Sequence, residues 1–97
     1  MVKTSEIKKG VWISAHDIDA QEMKTLVGLG FDEILLEDAL DYFEVPRFEY
    51  EDGVNYLFTR YPVDSSNGEL STAPLLIAIS ETYLLTVSPR KVEFLDD

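Results

Sequence analysis

The chain has 97 residues, with nineteen Asp and Glu against eight Lys and Arg, a net charge of -11, and no cysteine. That length makes one domain with a modest core. The charge excludes a nucleic-acid binder, which needs a positive footprint to displace counterions from phosphate, and disfavours adsorption to anionic lipid. The lack of cysteine excludes disulfides and thiolate metal sites.

Residues 1–10 are polar, with Lys3, Lys8 and Lys9, and are expected to be a poorly ordered lead-in to a domain spanning 11–97. Val11 to Ala15, β-branched and aromatic, predicts a short strand. Asp19 followed by Glu22 has the spacing of a capping box. Met23, Leu26 and Val27 form the apolar stripe of the helix it starts, with Gly28 and Gly30 as stop residues. Asp32 predicts the cap of a second short helix whose apolar set is Ile34, Leu35, Ala39 and Leu40. That helix ends before Val45, which the following Pro46 forces out of the helical region.

Beyond Pro46 the pattern is that of strands. Arg47 to Tyr50 alternates, Glu51-Asp52-Gly53 turns the chain, and Val54 to Val63 returns as the second arm of a hairpin. A polar loop with an Asn67-Gly68 turn precedes two continuous apolar runs, Ala73 to Ile79 and Tyr83 to Val87, joined at Ser80-Glu81-Thr82. Such continuous apolar runs suit central strands covered on both faces. The expected fold is therefore α/β: a mixed, largely antiparallel sheet of about five strands with two N-terminal helices. Two short helices cannot cover both faces, so the second layer is expected from residues beyond Asp97 or from another chain. The longest apolar run is too short to span a membrane, and the chain as it stands is expected to be soluble.

The segment from Asp32 to Asp52 is charged unevenly, with nine Asp or Glu residues and a single Arg. Glu33, Glu37 and Asp41 fall at i, i+4 and i+8, one ridge of the second helix, with Asp38 beside Glu37. Like charges at this spacing destabilise a helix by about 0.2–0.5 kcal/mol per pair, and those in the later turns also face the negative end of its dipole. A solvated acidic face is one reading of the ridge; the other is that a cation or a basic surface visits it. Carboxylates without His or Cys select hard cations such as Mg²⁺ or Ca²⁺. The spacing is not that of an EF-hand: the nearest approach, from Asp17, has Glu22 where that loop needs Gly and Gly28 where it needs Glu.

Catalysis is not expected. Glu37 and Asp38, as neighbours on a helix, point about 100° apart and cannot share a substrate. His16 is the only histidine, and nucleophile triads and glycine-rich phosphate loops are both missing. Trp12 and the tyrosines Tyr50, Tyr56 and Tyr61 fit core or sheet-surface positions better than a ligand cage.

Taken in order, Trp12-Ile13, Leu36-Glu37-Asp38-Ala39-Leu40, Pro46-Arg47-Phe48-Glu49 and Tyr56-Leu57-Phe58 resemble the cytosolic N-terminal domain of CorA-type magnesium transporters. The later pair of strands from Pro74 to Pro89 is similar to that family's hairpin, so the resemblance covers residues 11 to about 90. The chain departs from the family pattern at Ser14, commonly Asp, at Val45, usually Arg, and in a slightly longer link from Tyr50 to Asn55. The family's Gly-Met-Asn motif and two membrane helices are not in this sequence.

The resemblance implies one part of a larger αβα cytosolic domain, lacking the stalk and transmembrane helices. It further implies a sensing and assembly role at the cytoplasmic face of the cell membrane, in a homopentameric transporter of Mg²⁺ and possibly Co²⁺. In that family the Glu-Asp of the Leu-Glu-Asp block contributes to weak regulatory Mg²⁺ sites shared between subunits. Carried over, Asp38 is the main metal ligand and Glu37 the second, their partner carboxylate lying beyond Asp97. A zinc-transporting relative of the same family, and an acidic protein-interaction module with no metal role, are the alternatives.

Overall fold

The computed structural model describes residues 1–7, 10–41, 43–64 and 70–90. Along the chain, strands β1 (Val2–Ile7) and β2 (Gly10–His16) precede helices α1 (Ala20–Gly28) and α2 (Glu33–Ala39). Strands β3 (Arg47–Glu51), β4 (Val54–Asp64), β5 (Leu70–Ile79) and β6 (Tyr83–Ser88) follow. They form one six-stranded sheet in the order β1-β2-β6-β5-β4-β3. Only β2 and β6 pair in parallel; the other four pairs are antiparallel. The mixed α/β fold is as expected, with one strand more than the sequence suggests.

The extra strand comes from the stretch read as a lead-in. Val2 to Ile7 pairs with β2 from Val2↔Ala15 to Ile7↔Gly10. Only Val2 packs against the core, and the rest of β1 is exposed. An edge strand with Lys3 and Glu6 on it lacks apolar alternation, and it resists further pairing for the same reason. The expected Asn67-Gly68 turn lies outside the described residues.

Local chemistry accounts for the other elements. Asp19 and Glu22 form the full capping box: the Asp19 carboxylate accepts from the Glu22 N–H at 2.8 Å and Glu22 accepts from the Asp19 N–H at 3.1 Å. α1 ends at Gly28, and Gly30 takes a φ of +107° that returns the chain toward α2. Between β3 and β4, Asp52 and Gly53 both have positive φ, which makes a two-residue hairpin loop of the primed type. At Gly10 a Cβ would collide with the Thr82 carbonyl, the oxygen that accepts from the Val11 N–H at 3.0 Å. Glycine is required there so that β2 can start against the β5–β6 turn.

The two faces of the sheet differ. Ile13 and Ala15 of β2, Leu85 and Val87 of β6, Leu76 and Ala78 of β5, and Tyr56 and Phe58 of β4 share one face with Leu26, Phe31, Leu36 and Ala39 from the helical segment. The other face holds a small cluster of Tyr61, Ala73 and Leu75, with Ile77 packed on it. On that face Phe48 and Tyr50 are each 64% exposed, Leu57 43% and Ile79 52%. Trp12 bridges strands there by donating its Nε1–H to Thr86 Oγ1 at 3.2 Å.

Candidate cation site on the second helix

α2 is placed by two polar contacts and two buried side chains. The Asp32 carboxylate accepts from the Leu35 N–H at 3.0 Å, capping the helix. The Asp32 N–H in turn donates to the Tyr56 hydroxyl at 2.8 Å, tying the helix start to β4. Leu36 (0% exposed) and Ala39 (1%) face the sheet. That phase corrects the expected apolar set: Leu36 belongs in it, whereas Ile34 is 68% exposed.

α2 is also shorter than the acidic ridge required. Leu40 is its C-cap, with its N–H directed to the Glu37 and Asp38 carbonyls, and Asp41 lies beyond it. There the Asp41 carboxylate accepts from the Phe43 N–H at 2.9 Å, an Asx-type turn that competes with further helix. The ridge therefore breaks between Glu37 and Asp41, which removes the second like-charge pair from the helix.

The two candidate ligands occupy different surroundings. Glu37 is exposed. Asp38 is half-exposed, and its Oδ2 accepts from Arg47 Nη2 at 2.8 Å. Arg47 is the first residue of β3, and its register opposite Phe58 puts it on the helix side of the sheet. Its guanidinium carbon lies 4.2 Å from the centre of the Phe58 ring, a cation–π contact that holds the group flat. Nη1 donates to Glu44 Oε1, and Nε to Glu49 Oε1 at 3.2 Å. Burial pulls the Arg47 pKa down, but Asp38 and Glu44 outweigh it and hold it above its ordinary value.

The loop carrying Glu44 is itself anchored. Arg60 Nη1 donates to the Glu44 carbonyl at 3.1 Å, while its Nε and Nη2 donate to Thr72 on β5. Arg47, Glu44 and Glu49 were not among the sequence candidates. The i, i+2 spacing of Arg47 and Glu49 on a strand already places them on one face; the contact to Asp38 depends on how α2 packs.

A second acidic region lies at the other end of α2. A cavity of about 440 Å³ between the α1–α2 turn and the β3–β4 hairpin is lined by Asp32, Glu33, Glu51, Asp52, Phe31 and Tyr56, among others. Burial, and the nearby charges of Asp32, Glu51 and Asp52, raise the Tyr56 pKa. Among the described residues no group of three His, Cys, Asp or Glu is placed to hold a metal ion. The Asp38 carboxylate is a hard, half-exposed donor, which suits Mg²⁺, an ion that keeps most of its waters and takes one or two carboxylates. It fits as part of a coordination sphere and not as the whole of one.

A model of the CorA-like Mg²⁺ transporter protein family matches residues 8–97. The chain belongs to that family. The soluble domain of CorA from Methanocaldococcus jannaschii superposes with a TM-score of 0.79 at 25% identity, over 91% of this chain and 35% of that one. The complete CorA magnesium transporter structure from the same organism gives a TM-score of 0.76 at 25% identity, over 95% of this chain and 30% of that one. No curated protein matches the chain. The chain thus spans about a third of the CorA chains it matches and has the fold of part of their soluble domain. Among the described residues no helix is long and apolar enough to cross a membrane.

Proposed function

We propose that this chain is the cytosolic sensing and assembly part of a CorA-like divalent-cation transporter, in which Asp38, assisted by Glu37, contributes to a Mg²⁺ site shared with a neighbouring subunit of a homopentamer. One observation carries the reading: Asp38 stands half-exposed on a surface of α2 whose neighbour one turn earlier, Ile34, is 68% exposed. The segment after the helix adds Phe43 at 86% and Val45 at 64% exposure. A carboxylate set among uncovered apolar side chains suits a face that docks on another subunit, with a cation closing the charge between them. The family match and the CorA-like fold support the same assignment.

In this scheme bound Mg²⁺ screens repulsion between acidic subunits and favours a tight, closed ring. When the ion is scarce the carboxylates repel and the ring loosens. Weak sites suffice. At tenfold over its dissociation constant an ion contributes about 1.4 kcal/mol. Five such sites, binding only the closed state, give roughly 7 kcal/mol. That exceeds the ~5.5 kcal/mol that swings a two-state equilibrium from one side to the other. The test is Mg²⁺-dependent protection from proteolysis of the full-length transporter, wild type against Asp38→Asn. The variant is expected to need several-fold more Mg²⁺ for the same protection; identical Mg²⁺ curves would sink the proposal.

A further inference from the structure

Arg47 sits where a metal ion bound to Asp38 would have to compete. Its guanidinium already donates to Asp38 Oδ2 at 2.8 Å, and it is held in place from below by the Phe58 ring at 4.2 Å. It is not committed to Asp38 alone, since Glu44 and Glu49 also accept from it. Three carboxylates on one guanidinium leave an excess of negative charge. Arg47 can therefore give up Asp38 and remain paired, with no uncompensated charge left against the sheet. Asp38 has no second option of this kind: among the described residues its carboxylate is bonded only to Arg47.

Resting on the reading of Asp38 as a cation ligand, we infer that Arg47 is a built-in competitor for Asp38 that weakens Mg²⁺ binding and so sets the concentration at which the site responds. With Mg²⁺ absent, the guanidinium neutralises Asp38 and fixes its orientation. A divalent ion approaching the same carboxylate is repelled by the guanidinium a few ångströms away, and binds only as Arg47 shifts its bonds toward Glu44 and Glu49. Arg47 is a positioning residue and touches no transported ion.

The experiment is a calorimetric Mg²⁺ titration of the full-length transporter in detergent, comparing wild type with Arg47→Gln, Arg47→Lys and Asp38→Asn. Loss of the competing charge in Arg47→Gln is expected to tighten binding about two- to fivefold, the range of a half-exposed ion pair. Arg47→Lys keeps the charge and is expected to stay near wild type. If Arg47→Gln does not fold, Arg47→Met, which retains an apolar stem over Phe58, carries the same test. Unchanged or weaker binding on loss of the Arg47 charge, with Asp38→Asn weakened, overturns the competitor role and leaves the site standing. Unchanged binding in Asp38→Asn overturns the site and the competitor role together.

Discussion

The two faces of the sheet are built to different ends. On the helix side, Leu26, Leu36, Tyr56, Leu76, Leu85 and Val87 are each no more than 1% exposed, and polar contacts such as Asp32 to Tyr56 fix the helices in register with the strands. On the other side, Phe48, Tyr50, Leu57 and Ile79 are between 43% and 64% exposed. β4 carries both Tyr56 and Leu57, and β5 both Leu76 and Ile79, so the difference does not lie in strand propensity. It lies in what is stacked on each face: a finished interior on one, and on the other a surface apolar enough to accept another layer.

Substitutions can break this comparison, and the largest effect belongs to the helix side. Leu36→Ala should cost about 2–5 kcal/mol, because it opens a cavity where α2 meets the sheet. Urea unfolding of the chain, read as a lower midpoint at unchanged slope, checks this. Tyr56→Phe removes the acceptor of the Asp32 N–H and should cost about 1–3 kcal/mol.

The Tyr56 substitution also has a signature in pH. The Tyr56 pKa is raised in the folded state, so that state keeps its phenolic proton after the unfolded chain has lost its own. Stability from this source is complete below the ordinary value of 10.0 and falls as pH rises from there through the raised folded pKa. Unfolding midpoints measured on either side of that value should show the decline in wild type and a shallower one in Tyr56→Phe.

Smaller effects sharpen the contrast. Asp19→Ala breaks the capping box and should cost about 1 kcal/mol, with a loss of helical signal on thermal melting. On the far face Phe48→Ala should stay within about 0.5 kcal/mol in this 97-residue chain. A cost of several times that size would show the far face to be already packed, and the contrast between the faces would fail.

Much of the fold could be read from residue order. The capping box at Asp19 and Glu22, the Asp32 cap, the Asp52-Gly53 turn and the two doubly apolar strands depend on neighbours a few positions apart, and each stands where the pattern put it. β1 escaped because an edge strand with one buried residue needs no alternation. The phase and end of α2 escaped because Leu36 competes with Ile34 for the inward position, and the sheet decides between them. The Leu-Glu-Asp block was legible as a family resemblance; what surrounds Asp38 was not.

By itself, then, the sequence determined which segments turn, cap and alternate, along with the excess of carboxylates and the lack of thiolate metal ligands. These follow from local sterics, short-range hydrogen bonds and side-chain chemistry, all written within a turn or a hairpin. The tertiary structure alone decided that Asp38, nine positions before Arg47 in the chain, faces its guanidinium over the Phe58 ring, and that Ile34 is left uncovered. Those outcomes depend on the rotation of α2 about its axis and on the β3–β4 register, set by packing across the whole sheet.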